Sequence, residues 1–376
     1  MDAEKATRRI ENILGHCVGI SPNPTSAASD AAARANAEDA ARQAKVRELS
    51  ESLKFDPTSG HVIRKPLGTG YGFWVGGHKV TYDAASGFFI IFYRVRTPLE
   101  KGRGGTCAVA VSRDGLNFTD VWSATKDDLA AVSIETGHVV RDPKTGLFRL
   151  YISYEFSQGN YWRIDVIRAL NQTGPYGGLG SLDTQGRRTV LMPHQYGLLS
   201  IKDPVVYVRP GDGRYMLYAH AFPGSALFAG AGMGQKARAF DVTVLAESDD
   251  GLYFSECKTC FESPNEDRWD GRLARINSVV PWAGVGYLGF YDGQRTVFDI
   301  YEEKAGLCWS ADGGVDEPFE RLPLDGPWVS SPHGSRTVRY IFAVKREDQG
   351  KVYMYYEFCR PDNSHDLRVS VVPIPK

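Results

Sequence analysis

Acids, guanidinium groups and imidazoles recur at matching places along this chain, beside segments that are otherwise apolar. One column, Arg94, Ser153, His220, Asp292 and Glu357, follows aromatic-rich runs such as Phe88 to Tyr93 and Val352 to Tyr356. Two residues on, on the same face of an extended strand, stand Arg96, Glu155, Phe222, Gln294 and Cys359. A second column opens the preceding runs: His78 with Lys79, Glu135, Lys202 with Asp203, Arg275, and Arg339. Charges beside apolar strands are costly to bury unpaired, so they line a wet pocket or neutralise one another. For any single residue a structural salt bridge is the plainer reading. For the whole set, recurrence in every copy favours a binding funnel.

A pocket with several carboxyls can hold one neutral and another ionised, as acid–base cleavage of a glycosidic bond requires. Glu135, Asp203 and Asp292 are the candidate catalytic residues, with Glu357 beside them. Lys202 is placed to depress the pKa of Asp203 and make it a base, whereas Glu135 opens an apolar strand, where desolvation favours the protonated acid. Candidate substrate-binding residues are His78, Lys79, Arg94, His220, Arg275 and Glu357. The basic ones, with Arg96, suit a carboxylate or phosphate, so the small carbohydrate substrate expected in this pocket could be an acidic or phosphorylated glycoside. Asp292-Gly293 reads equally as a turn, and Tyr301-Glu302-Glu303 either as a solvated edge or as an anchor for Arg275.

The elements that carry these columns are hairpins. Ile201 to Tyr207, a Gly-Asp-Gly turn and Arg214 to Phe222 form one. Copies lie at Gly77 to Asp83 with Phe88 to Arg96, Glu135 to Val140 with Phe148 to Phe156, Arg275 to Val280 with Tyr287 to Gln294, and Arg339 to Val344 with Val352 to Cys359. A repeat of roughly 60 to 70 residues without intervening helices indicates radially arranged sheets. The expected fold is therefore all-β, a five-bladed β-propeller over 57–376, preceded by a helical extension over 1–56. In that extension Asp2 to Leu14 and Asp30 to Leu53 read as helices and offer a route to homo-oligomers. Ser112-Arg-Asp-Gly, Ser248-Asp-Asp-Gly and Ser310-Ala-Asp-Gly are turn punctuation. The polar segment Asn171 to Gly197 and the glycine-rich Phe222 to Gln235 read as rims or lids. Gly284 to Gly289 matches G-x-G-x-x-G but runs into a strand, which argues against a dinucleotide site.

A formal net charge of -1 gives no general attraction to nucleic acid or to an anionic membrane. No segment approaches the ~20 apolar residues of a membrane span, and the start of the chain lacks the apolar core of a signal peptide. These features, with six scattered cysteines, predict a cytoplasmic protein. Cys257 and Cys260 form a C-x-x-C without a second ligand pair, so neither a metal nor another cofactor is expected.

The Lys202-Asp203-Pro204 element, the S-x-D-G turns and the strand pattern over about residues 70 to 376 resemble the five-bladed propeller glycosidases, notably glycoside hydrolase family 43 and its relatives in families 32, 62, 117 and 130. Asp292-Gly293, Tyr301 to Gly306 and His365 to Arg368 are further points of similarity, closest to a bacterial branch of that group. The resemblance implies three carboxyls: a base from the first blade, a pKa-modulating Asp from the second and an acid Glu from the third. Here the second blade offers Glu135 and the third Asp203. The first reads Gly76-Gly77-His78-Lys79, and its nearest acid, Asp83, falls in the hairpin turn. Either Asp292 or Glu357 supplies the missing group, or the site does other than inverting hydrolysis: phosphorolysis, as in the family 130 phosphorylases, a lyase or cyclase reaction, or sugar binding without turnover.

Overall fold

The computed structural model describes residues 26–223, 241–264, 266–296, 299 and 301–375. The expected helix Asp2 to Leu14 and most of Phe222 to Gln235 lie outside them. The chain divides into two compact units, Met1–Ala44 and Lys45–Lys376. One helix, α1 (Ser26–Ser52), is built on an Ala-rich stretch with exposed pairs such as Lys45–Glu48, consistent with high helix propensity. Its last turns bury Val46 and Leu49, and Leu53 follows just beyond. These side chains join a cluster with Trp328 and Tyr356, and the Trp328 indole donates to the Ser50 carbonyl at 2.8 Å.

The rest is mostly β. After β1 (His61–Arg64) come β2 (Trp74–Asp83), β3 (Phe88–Arg96), β4 (Gly104–Ser112) and β5 (Thr119–Thr125), paired antiparallel in that order. A second run comprises β6 (Ser133–Arg141), β7 (Phe148–Ser157), β8 (Tyr161–Arg168) and β9 (Arg188–Leu191). A third comprises β10 (Leu198–Val208), β11 (Tyr215–Pro223), β12 (Val242–Ser248) and β13 (Lys258–Phe261). The fourth is β14 (Arg275–Trp282), β15 (Gly286–Gly293), β16 (Lys304–Ser310) and β17 (Glu320–Arg321). The last is β18 (Val338–Arg346), β19 (Lys351–Cys359) and β20 (His365–Pro373), whose free edge is taken by β1. Each hairpin expected from the sequence is present. The first strands of the runs touch in a closed cycle, β2 on β6, β6 on β10, β10 on β14, β14 on β18 and β18 on β2.

Apolar faces of neighbouring runs make the core, for example Phe89, Ile91, Tyr353 and Tyr355 in one cluster and Leu150, Ile152, Val109 and Ile134 in another. The S-x-D-G turns behave as expected: Asp114 and Asp250 each accept two backbone N–H groups that follow them, and the preceding serine hydroxyl receives the glycine N–H. The segment Asn171 to Gly197 departs from expectation. It is not simply a rim, because Arg188 to Leu191 within it forms β9. Only four residues pair, too few to show alternation above the surrounding polar sequence. Asp292-Gly293 is strand and not turn.

Candidate functional site

Every first strand carries a β-bulge at the same level: between Gly76 and Lys79, Ile134 and Gly137, Lys202 and Val205, Ile276 and Ser278, and Arg339 and Phe342. A bulge re-aims side chains and often sits beside a functional site. At the equivalent position of three runs the backbone is left-handed: Gly77 at φ 57, Asp203 at φ 59 and Tyr340 at φ 55. For Asp and Tyr this is an uncommon conformation that the surroundings must impose.

The bulges and the ends of the second strands meet, and the two charged columns read from the sequence form one buried network. Arg275 reaches Asp292 at 2.6 Å, Asp203 at 3.4 Å and Glu303 at 3.4 Å, and lies over the Tyr340 ring at 4.3 Å. Arg339 pairs with Glu303 and Glu357, each at 2.5 Å. Glu135 faces Arg94 and Arg96, both at 3.4 Å, and Lys202 at 3.7 Å. His220 lies 3.6 Å from Asp203, whose backbone N–H donates to the Ser153 hydroxyl. Lys79 donates to Asn277 and faces the Tyr340 ring. His78 is fully buried and takes part in no ion pair among the described residues. Glu303 thus anchors Arg275 and is no solvated edge.

Burial and charge set the ionisation states. Burial alone would raise Glu135, but Arg94, Lys202 and Arg96 hold it down at about 2. Glu135 is therefore ionised and is not the protonated acid expected from the start of an apolar strand, because three cations outweigh desolvation. Asp203 is likewise held well below its usual range by Lys202, His220 and Arg275 against the effect of burial, the direction expected of a base. Glu303 is lowered to about 2, burial being overcome by Arg339 and Arg275. Glu357 is lowered too, by Arg339 and His365. Asp292 alone among these carboxyls is pushed up, by burial first and by Glu303, despite its contact with Arg275. Burial, helped by Arg275, lowers Lys79 to about 7, and His78 falls to about 3 through burial and Lys79.

The first run lacks a carboxylate for a steric reason that the sequence hides. A Cβ on Gly77, the position equivalent to Asp203, would lie 2.4 Å from the Arg94 Nε, and one on Gly76 would lie 2.1 Å from a Glu357 carboxylate oxygen. Arg94 and Glu357 fill the space that a first-strand side chain would use. Sequence reasoning missed Tyr340 and Trp74, and noted His365 only as part of a point of similarity, without a place in the site. Tyr340 could have been found by aligning it with Asp203; His365, which meets Glu357 at 2.7 Å, and Trp74, stacked on it, carry no local signal. A cavity of about 180 Å³ opens beside the network, between Trp74, Arg96 and Tyr301.

No family model matches the chain, and no curated protein does. Solved structures do. A glycoside hydrolase superposes with a TM-score of 0.60 at 13% identity, over 89% of this chain and 98% of that one. The β-1,2-mannobiose phosphorylase from Listeria innocua gives 0.54 at 13%, over 85% and 96%. A thermostable family-43 glycoside hydrolase gives 0.55 at 12%, over 83% and 91%. The chain is similar in fold to the family-43 type and related propeller glycosidases.

Proposed function

We propose that this protein is a carbohydrate-active enzyme, a five-bladed propeller over 57–376 with a helical extension over 1–56, that cleaves a small glycoside by carboxyl acid–base catalysis. The observation that carries the reading is the meeting of one ionisable column from every run at a ring of bulges. Asp203, held ionised in a left-handed backbone, is the base. Asp292, the one carboxyl of the set that burial shifts upward, is assigned as the proton donor, the role opposite to that of Asp203 in acid–base cleavage. Arg275 touches both and keeps them from repelling each other. Glu135 is reassigned from acid to an anchor for Arg94 and Arg96.

The test is turnover on a panel of aryl and disaccharide glycosides, with and without inorganic phosphate, followed by product mass. Asp203→Asn and Asp292→Asn should each lower turnover by about 10²–10⁴-fold, measured at a temperature where circular dichroism shows the variant folded, since each removes a buried partner of Arg275. Near-normal turnover in both would remove the pair from the mechanism. A dependence on phosphate, with a sugar phosphate as product, would select phosphorolysis over hydrolysis. A specific observation favours a second reading, a sugar-binding propeller without turnover: Glu135, Asp203, Glu303 and Glu357 are all held ionised by arginines or lysines. Binding of a sugar without products across the panel would select it.

A further inference from the structure

We propose that the cavity beside the network holds a sugar unit bearing an anionic substituent, a carboxylate or a phosphate. This rests on the carbohydrate reading above and names the substrate class. Tyr71, Trp74 and Tyr301 form an aromatic wall, with Trp74 lying 5.0 Å from one tyrosine ring and 5.2 Å from the other. Tyr71 is 56% exposed and Leu99 66% exposed, so apolar surface faces the opening. The exposed Tyr71 ring offers a face to the C–H side of a pyranose, and Trp74, buried and stacked on His365, backs it. The volume, about 180 Å³, falls below the ~300–1,000 Å³ of pockets for larger ligands and suits one ring.

Arg96 and Arg103 line the same cavity. Behind them Arg94 and Arg96 share Glu135 with Lys202, which also faces Asp203, and Arg103 pairs with Glu155. Glu100 also lines the cavity, but it is exposed at the rim. Buried guanidinium donors are left over. Nε of Arg96 and Nε of Arg103, both from residues that line the cavity, find no hydrogen-bond partner. A buried N–H left without an acceptor is costly even on a paired guanidinium, and a forked guanidinium matches an oxyanion. At the level where Asp203 stands in the third run, the first run holds Gly77 with Arg94 packed against it, so a cation replaces an acid on this side of the ring.

Calorimetric titration of the full chain with glucuronate, galacturonate, glucose 6-phosphate, glucose, galactose and inorganic phosphate tests the proposal. At least one anionic sugar should bind about tenfold or more tightly than its neutral parent, the scale of a charged hydrogen bond, and more tightly than phosphate alone. Arg103→Gln, at the half-buried rim, should reduce that preference, as should Arg96→Gln if it folds; if it does not, Arg103→Gln decides. Preference for a uronate would identify the carboxylate, and preference for the sugar phosphate the phosphate. Equal binding of charged and neutral sugars, equal binding of phosphate alone, or an unchanged preference in Arg103→Gln would overturn this inference and leave the carbohydrate reading standing. Binding of none of these sugars would overturn this inference, and the glycoside panel above tests the carbohydrate reading separately.

Discussion

At the scale of single residues, the histidine that joins three runs makes the sharpest stability claim. The His138 Nδ1 accepts the Val206 N–H at 2.9 Å, and its Nε2 lies 3.0 Å from the Thr81 hydroxyl, which itself donates to the Val139 carbonyl. Nδ1 therefore carries no proton, and the ring is the neutral Nε2–H form. Burial, then Lys79, lowers its pKa from 6.5 to about 3, and His78 moves the same way. The unfolded chain takes up the protons first, so stability is full above pH 6.5 and falls as pH drops toward 3. Glu135 and Glu303 add a loss of the same sign, but only below their ordinary 4.5. Thermal melts between pH 6.5 and about 5.5, above the range where the carboxyls begin to titrate, bear on the histidines: the midpoint should fall with pH, and the fall should be shallower in His138→Gln even if its midpoint near pH 7 is lower. An unchanged slope would mean that His138 is not buried neutral.

At the scale of elements, the hairpins were legible because strand alternation and turn chemistry are local. Phe88 to Tyr93 or Val352 to Tyr356 needs no distant partner to read as a strand, and Asp114 or Asp250 makes its turn from its own neighbours. What escaped is what depends on distant contacts. The outer strand β9 is too short to show a pattern. The bulges that turn Asp203 and Tyr340 inward depend on packing across runs. The ionisation of Glu135 was misread because its three cations come from β3 and β10. The end of α1 is a further case: Val46, Leu49 and Leu53 look like any helical stripe, and only the structure shows them against Trp328 and Tyr356. Leu49→Ala should cost about 2–5 kcal/mol, the range for emptying a buried leucine site, read as a lower denaturation midpoint with unchanged slope. A cost below about 0.5 kcal/mol, typical of surface sites, would place this turn outside the core.

At the scale of the whole molecule, the cycle of first strands concentrates charge at one ring while each run leaves a strand edge outward. The fifth run has only three consecutive strands, and β1 completes it from some 300 residues away in sequence: His61 pairs with Val369 and Val62 with Arg368. The join is reinforced from both sides. The Tyr356 hydroxyl donates to the Pro57 carbonyl at 2.8 Å, and Arg368 donates to the Thr58 carbonyl at 2.8 Å. Without β1 the edge of β20 would present unpaired backbone groups, a template for association. Comparing a chain that begins at Lys45 with one that begins at Lys65 measures β1 and the end of α1 together, since the second loses β1 along with Val46, Leu49 and Leu53. Several kcal/mol of burial and strand pairing separate the two, which at about 1–2 °C per kcal/mol for a domain of more than 300 residues corresponds to roughly 5 °C or more in melting midpoint. The shorter chain should also elute as larger species. Equal midpoints and a monomeric shorter chain would show that the last run closes without its first-residue partner, and that the ring of charges is held together by the first strands alone.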